Sequence, residues 1–318
     1  MKAKMSKPKL YLHVQRATHF LEWERQYFNK YFDIVDSPSN KTILFAFGPD
    51  ALSSGSLLPA RFRIAMLFPG FGLNPYHDLA HRRDMQRIIE DRYHLIFANP
   101  GPIAEAFPKL PTLRLCPFSI NTDLIKFRNY KKSINSLLHA SADYPQKDWQ
   151  RSYEVMRLTE LRCEVYPPRQ QSVQDILWRK LRIGLHISFF RRPAPPFLHK
   201  NYVSHDKIIE KYNQYDGFVH IAAETPPFVD GKYTATLLEA GLSGCILFWH
   251  DTLGLGNDFE TIFSLPADPE AAASAILDIR KNIDVEAHSR RTVDEIFDRV
   301  NPDKIMRTRF SAIRELLE

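Results

Sequence analysis

The sequence is poor in the features that mark secreted and membrane-spanning proteins. Only 3 cysteines occur among 318 residues, at Cys116, Cys163 and Cys245, and no two have CxxC spacing. This number and spacing predict neither a disulfide framework nor a zinc site, and they favour a reducing compartment. No apolar run approaches the roughly 18 residues of a membrane-spanning helix, and the N-terminal residues MKAKMSKPKLYLHVQ lack the apolar core of a secretory signal. We therefore expect a cytoplasmic protein.

The composition is that of a soluble globular chain with 44% apolar and 25% charged residues. Its length is sufficient for two domains, each with a core of its own. An excess of 43 Lys and Arg over 37 Asp and Glu gives a net charge of +6. This charge suits an acidic ligand or an anionic surface but is too small for a nucleic-acid coat protein, so no nucleic-acid partner is expected. The histidines lack ligand spacing, and no metal site is predicted.

Short apolar runs without polar alternation recur along the chain, as is typical of strands covered on both faces by helices. The first series of predicted strands covers Leu10–Val14, Phe32–Val35, Thr42–Phe47, Arg63–Phe68, His94–Ala98 and Leu113–Cys116, with helices over Trp23–Tyr31, His81–Asp91 and Ile103–Phe107. The second has strands over Ile134–Ala140, Cys163–Tyr166, Gly217–Ala222 and Cys245–Trp249, and helices over Gln146–Arg157, Val173–Leu181, Thr234–Leu242, Ala271–Ile283, Val293–Val300 and Lys304–Leu317. A polar stretch near 119–132 separates them. We predict an α/β protein with doubly wound parallel sheets in two domains, residues 1–126 and 127–318.

The most informative segment runs from Asp216 to Asp251 as strand, loop, helix and strand. The predicted helix starts near Thr234, so backbone N–H groups, the helix dipole, two hydroxyls and an ammonium group converge there. This arrangement predicts a phosphate site formed by Lys232, Tyr233, Thr234, Ala235 and Thr236.

Glu239 lies further along the same helix and has two interpretations. A carboxylate near a phosphate-binding helix end commonly accepts hydrogen bonds from ribose hydroxyls. Alternatively, Glu239 is the solvent-facing position of an amphipathic helix, and Thr234 is an ordinary N-cap.

Three motifs in this sequence resemble the GT-B glycosyltransferases, especially the large retaining family 4-like group of sugar-nucleotide transferases. Its donor-binding signature is similar to Asp230-Gly231, Leu237-Leu238-Glu239-Ala240 and the strand after Gly244. The segment Cys116–Asp123 resembles the family's crossing between domains, and Leu95–Asn99 resembles a strand of its N-terminal domain. The resemblance implies two Rossmann-like domains with parallel sheets facing across a cleft. It also implies a nucleotide-sugar donor (UDP-, GDP- or similar) as substrate and no required cofactor or metal.

The resemblance also implies roles for further residues. The family has an acid near the donor sugar where Gly231 stands here, so Asp230 or Glu224 takes that role and retaining stereochemistry is left open. Lys147 and Lys232 are expected to neutralise the diphosphate, with ordinary surface lysines as the alternative.

The resemblance implies that the residues that bind the acceptor lie in the N-terminal domain. The loop Pro69–His81 follows a predicted strand, so His77 or Asp78 is placed to remove the acceptor's proton. The two glycines of that loop also suit a simple turn. His13 closes the first predicted strand, where a histidine is more typical of packing than of catalysis.

The predicted function is transfer of a sugar to a hydroxyl of a glycan or lipid-linked acceptor, as in polysaccharide biosynthesis. The alternatives are a nucleotide-sugar epimerase or hydrolase of the same fold, and a non-catalytic nucleotide-binding or scaffold module. The basic and aromatic segment Asp175–Phe197 is either part of the second domain or a peripheral contact with the inner face of the cytoplasmic membrane.

Overall fold

The computed structural model describes residues 7–14, 18–51, 54–67, 79–100, 111–117, 119–120, 122, 125–141, 149–166, 181, 204–221, 234–250 and 258–318. These residues form two compact units. The first contains the described residues up to 120 together with residues 300–318, and the second contains the described residues between 122 and 299. Within the described ranges, no helix has both the length and the apolar character to cross a membrane.

The first unit is built on a six-stranded, wholly parallel sheet with the strand order β2-β1-β3-β4-β5-β6. Its strands are β1 (Lys9–His13), β2 (Asp33–Ile34), β3 (Ile43–Phe47), β4 (Phe62–Leu67), β5 (Leu95–Ala98) and β6 (Leu113–Leu115). Up to residue 120 its described helices are α1 (Thr18–Tyr31) and α2 (Leu79–Arg92), and 3₁₀ turns lie at Gly48–Asp50 and Ser54–Leu57. The C-terminal helix over Pro302–Glu315 also belongs to this unit.

The second unit is built on a five-stranded parallel sheet with the order β11-β10-β9-β7-β8. Its strands are β7 (Ser136–Ala140), β8 (Arg162–Tyr166), β9 (Gly217–His220), β10 (Ile246–His250) and β11 (Ile262–Leu265). Its helices are α3 (Trp149–Leu158), α4 (His205–Gln214), α5 (Ala235–Leu242), α6 (Pro269–Asn282) and α7 (Val285–Val300), which is followed by α8 (Pro302–Glu315).

The predicted α/β class with parallel sheets is confirmed. The burial of the strands explains why they could be predicted from the sequence. Every residue of β3, β5, β7, β9 and β10 is buried. Strands covered on both faces have no polar alternation, and parallel sheets produce this pattern. Among the described α-helices and β-strands, the sequence analysis missed α4, β11 and the first half of α7.

The structure assigns helix α8 to a different domain from the one predicted. The sequence analysis assigned residues 127–318 to the second domain, but residues 300–318 belong to the first unit. The physical reason is the packing of α8 on α1. The Phe310 ring stacks on Tyr31 at 4.9 Å and meets Phe32 edge-on at 5.4 Å, and the buried Arg309 guanidinium lies 2.6 Å from the Glu24 carboxylate.

Candidate nucleotide site

The strand order of the second sheet marks one place as suited to a ligand. Numbered within the unit, its strands follow the order 2-1-3-4-5, so successive strands are added on opposite sides of the point between the parallel strands β7 and β9. In open parallel sheets, ligands bind beyond the carboxyl ends of the strands at such a switch point. Here β7 ends at Ala140 and β9 ends at His220, and Ser141 follows β7 directly.

Three aromatic side chains lie in a stack at this edge. The rings of His139 and His220 are 5.2 Å apart with an angle of 19° between their planes. The His220 ring lies 4.4 Å from Trp249 at 11°. His139 is fixed further, because its Nδ1 lies 2.9 Å from the Val219 carbonyl oxygen and its Nε2 lies 2.8 Å from Ser141 Oγ. The three rings therefore form a stack across β7, β9 and β10 near the carboxyl ends of these strands.

Helix α5 begins and ends by well-defined local geometry. Thr234 is the N-cap residue in an extended conformation, and its side chain makes no capping hydrogen bond. At the other end Gly244 has a φ of +83°, which a glycine tolerates without strain. The N–H groups of Gly244 and Cys245 donate to the carbonyls of Gly241 and Ala240, which is the Schellman arrangement.

The start of α5 presents unsatisfied hydrogen-bonding groups. The first N–H groups of any helix lack intrahelical acceptors. Within the described part of the chain, the buried hydroxyls of Thr234 and Thr236 also have no hydrogen-bond partner. Buried polar groups in proteins are almost always hydrogen-bonded. Hydroxyl and amide donors gathered at the positive end of a helix dipole are suited to an anionic, oxygen-rich ligand.

Glu239 is the one charged residue of α5, and it is buried. Only 3% of the residue is exposed, so its interpretation as a solvent-facing position is wrong. Its neighbours Leu237, Leu238 and Ala240 are also buried. A buried carboxylate requires a partner, and His205, the first residue of α4, provides one: its Nε2 lies 2.7 Å from Glu239 Oε1.

Two side chains on α4 that interact with the buried Glu239 carboxylate, those of His205 and Tyr212, have raised pKa values. Burial lowers the pKa of His205, but the hydrogen bond and the charge of Glu239 outweigh this, so the pKa is raised above its usual value. The hydroxyl of Tyr212 on α4 is fully buried, and burial together with the charge of Glu239 raises its pKa well above the usual value. That hydroxyl also has no hydrogen-bond partner within the described ranges.

The first sheet has an equivalent switch point between β1 and β3. His13 ends β1 and is 4% exposed. Burial lowers its pKa, and the charge of Asp50 opposes the change in part. Gly55 makes this packing possible, because a Cβ there would lie 2.7 Å from the Asp50 carbonyl oxygen and 3.1 Å from His13 Cδ2.

The predicted site residues divide into two groups. The described ones are Thr234, which is the N-cap of α5, and Ala235, Thr236 and Glu239, which lie on the helix. The others lie outside the described residues: His77, Asp78, Lys147, Glu224, Asp230, Lys232 and Tyr233. The segment 175–197, apart from Leu181, and the predicted helix over 103–107 also lie outside them. Their roles stay predictions.

His205 is the residue that sequence reasoning missed. It stands 34 positions before Glu239, on a helix that was not predicted. No local spacing links the two residues, so only the folded structure reveals the pair. Among the described residues, no group of three or more His, Cys, Asp or Glu side chains could hold a metal ion.

Comparison with known proteins identifies the fold. No protein-family model matches the chain, and no curated protein matches its sequence. Among solved structures, HepE from Anabaena in complex with UDP is similar over 97% of this chain and 100% of its own, with a TM-score of 0.64 and 12% identity. A glycosyltransferase from Rickettsia africae is similar over 99% of each chain, with a TM-score of 0.59 and 11% identity. The pneumococcal O-GlcNAc transferase GtfA, in complex with UDP and GlcNAc, is similar over 95% of this chain and 60% of its own, with a TM-score of 0.56 and 15% identity. The chain has the GT-B fold of these proteins.

Proposed function

We propose that the protein is a glycosyltransferase that moves a sugar from a nucleotide-sugar donor to a hydroxyl of a glycan or lipid-linked acceptor. In this reaction the bond between the anomeric carbon and the diphosphate oxygen breaks. A bond from the anomeric carbon to the acceptor oxygen forms, the acceptor's proton passes to a base, and a nucleoside diphosphate leaves.

The observation that supports this proposal most directly is the composition of α5. A buried carboxylate, Glu239, and two buried hydroxyls that have no hydrogen-bond partner among the described residues, those of Thr234 and Thr236, lie on one short helix and its N-cap. In the proposed complex, Glu239 accepts hydrogen bonds from the ribose hydroxyls. The helix start from Lys232 to Thr236 binds the diphosphate, with Lys147 as a further counter-charge. Helix dipole and basic side chains stabilise the leaving group without a metal ion.

The remaining roles rest on the sequence. His77 or Asp78 accepts the proton of the acceptor hydroxyl in the first unit, and Glu224 or Asp230 contacts the transferred sugar. The basic segment 175–197 contacts an anionic membrane surface, and cosedimentation with vesicles that contain 30% anionic lipid, compared with neutral vesicles, tests that contact. Equal binding to both vesicle types would contradict it.

The proposal is tested by thermal shift with UDP, GDP, CDP, dTDP, ADP and CMP. The solved neighbours make UDP the first choice, since HepE and GtfA were crystallised with it. A ligand at 100 times its Kd stabilises the native state by about 2.7 kcal/mol, which raises Tm by several degrees. We expect one nucleotide to do this, and we expect Glu239→Ala to reduce the shift strongly at the same nucleotide concentration.

The matched control is Glu286→Ala, because Glu286 is an exposed glutamate on α7 of the same unit. This variant should keep the full shift. A nucleotide that stabilises the wild type and Glu239→Ala equally would exclude Glu239 from the site. No shift with any nucleotide would favour a scaffold module, and donor consumption without an acceptor would favour a hydrolase or epimerase.

A further inference from the structure

The contact between His205 and Glu239 joins two elements that are separate in sequence. His205 opens α4, and Glu239 lies in the middle of α5. The His205 side chain is 27% exposed, whereas that of Glu239 is 4% exposed. The imidazole is therefore partly exposed, and its Nε2 lies 2.7 Å from Oε1 of the buried carboxylate.

Stability alone gives a poor account of this pair. The other residues of α5 from Leu237 to Leu242 are buried and apolar, and a hydrophobic residue at position 239 would avoid the cost of desolvating a carboxylate. Replacing a buried ion pair by well-packed apolar residues is often neutral or stabilising. The pair is better explained by a requirement for a carboxylate oxygen at one fixed position.

The hydrogen bond supplies that fixed position. A glutamate side chain has three rotatable bonds, and a bond to one of its oxygens restricts all three. The Nε2–H group of His205 occupies Oε1, which orients the remaining lone pairs of the carboxylate. Binding sites gain affinity when such groups are held in place before the ligand arrives.

Resting on the function proposed above, we propose that His205 is a positioning residue of the donor site. It holds the Glu239 carboxylate in the orientation that accepts hydrogen bonds from the ribose hydroxyls. His205 itself does not contact the nucleotide. The structure thus assigns ribose recognition to a pair of residues, one from α4 and one from α5.

The test compares UDP with 2′,3′-dideoxy-UDP, which lacks the ribose hydroxyls. Dissociation constants are measured by calorimetry for the wild type, His205→Ala, His205→Gln and Glu239→Ala. Hydrogen bonds to a charged group make the wild type prefer UDP by about ten- to hundredfold. In His205→Ala, the ratio of the two dissociation constants should fall close to the ratio measured for Glu239→Ala. The affinity for the dideoxy nucleotide should stay unchanged. His205→Gln, whose amide N–H reaches a position similar to Nε2–H, should restore most of the preference.

A general structural role would give a different result. In that case His205→Ala would weaken the binding of both nucleotides by the same factor. The ratio of their dissociation constants would stay unchanged, which would overturn the inference. Lys207→Ala, an exposed change on the same helix, is the control and should match the wild type. A preference for UDP that persists in His205→Ala would refute the role of His205 and leave the proposed function intact. If UDP fails to bind the wild type, the same pair of analogues is used with GDP and ADP, and failure of all three overturns both proposals.

Discussion

The His205–Glu239 contact makes the stability of the second unit dependent on pH. Burial lowers the pKa of His205, but the hydrogen bond and charge of Glu239 together with the charge of Asp206 outweigh it, so the pKa is raised. A group whose pKa is higher in the folded state stabilises the fold fully below its unfolded pKa, which is about 6.5 for histidine. That contribution disappears as the pH rises through the folded-state value.

We therefore predict that the stability advantage of the wild type over His205→Gln is largest near pH 5.5 and shrinks towards pH 9. Urea denaturation across this range measures the difference. Glutamine retains a donor but cannot become charged, so the pH-dependent part of the difference reports the titration of the His205–Glu239 pair. The difference between the wild type and Lys207→Ala should not vary with pH in this way. A difference for His205→Gln that grows with pH would contradict the assignment.

Helix α8 is attached to the first unit by a buried charge. Arg309 is fully buried, and its Nη1 lies 2.6 Å from the Glu24 carboxylate on α1. Glu24 also accepts a hydrogen bond from Ser119 Oγ, and Arg309 Nη2 lies 3.4 Å from the Pro117 carbonyl oxygen. Helix α8, α1 and the segment after β6 therefore share one polar network inside an apolar environment.

Removing one partner of this network leaves the other charge buried and uncompensated. We predict that Arg309→Met lowers the free energy of unfolding by about 3–5 kcal/mol, measured by urea denaturation. The double variant Arg309→Met with Glu24→Leu should recover much of the loss, because both charges are removed. The exposed pair Arg314–Glu318 is the control, and Arg314→Ala should cost less than about 1 kcal/mol. A single variant as stable as the wild type would show that the network contributes little.

The elements that sequence reasoning found and missed differ in burial. Strands such as β3 and β10 are short apolar runs because helices cover both faces of the sheet. In β11 the central residues Phe263 and Ser264 are only partly buried or exposed, so the strand leaves a weak pattern of four residues. The first half of α7 carries Glu286, His288 and two arginines. Its apolar face is narrow there, and the helical period is visible only further along.

For the whole chain, the fold was more predictable than the candidate site. Alternating strands and helices specify parallel sheets through general packing rules. The site depends on a few side chains that meet through space. Glu239 was visible because it interrupts an apolar helix and because the family signature contains it. His205 was not visible, since its significance arises only where α4 packs against α5.

The proposed nucleotide site in the second unit gives a final prediction, for hydrogen exchange measured by mass spectrometry. A ligand at the start of α5 slows the local opening of the elements that it contacts, and exchange reports such opening. We expect saturating UDP to slow exchange in peptides covering α4 and α5 while α2 of the first unit stays unchanged. At the same UDP concentration the effect should be clearly smaller in Glu239→Ala, which separates specific binding from a general effect of the nucleotide. Protection confined to the first unit would place the nucleotide there and remove α5 from the site.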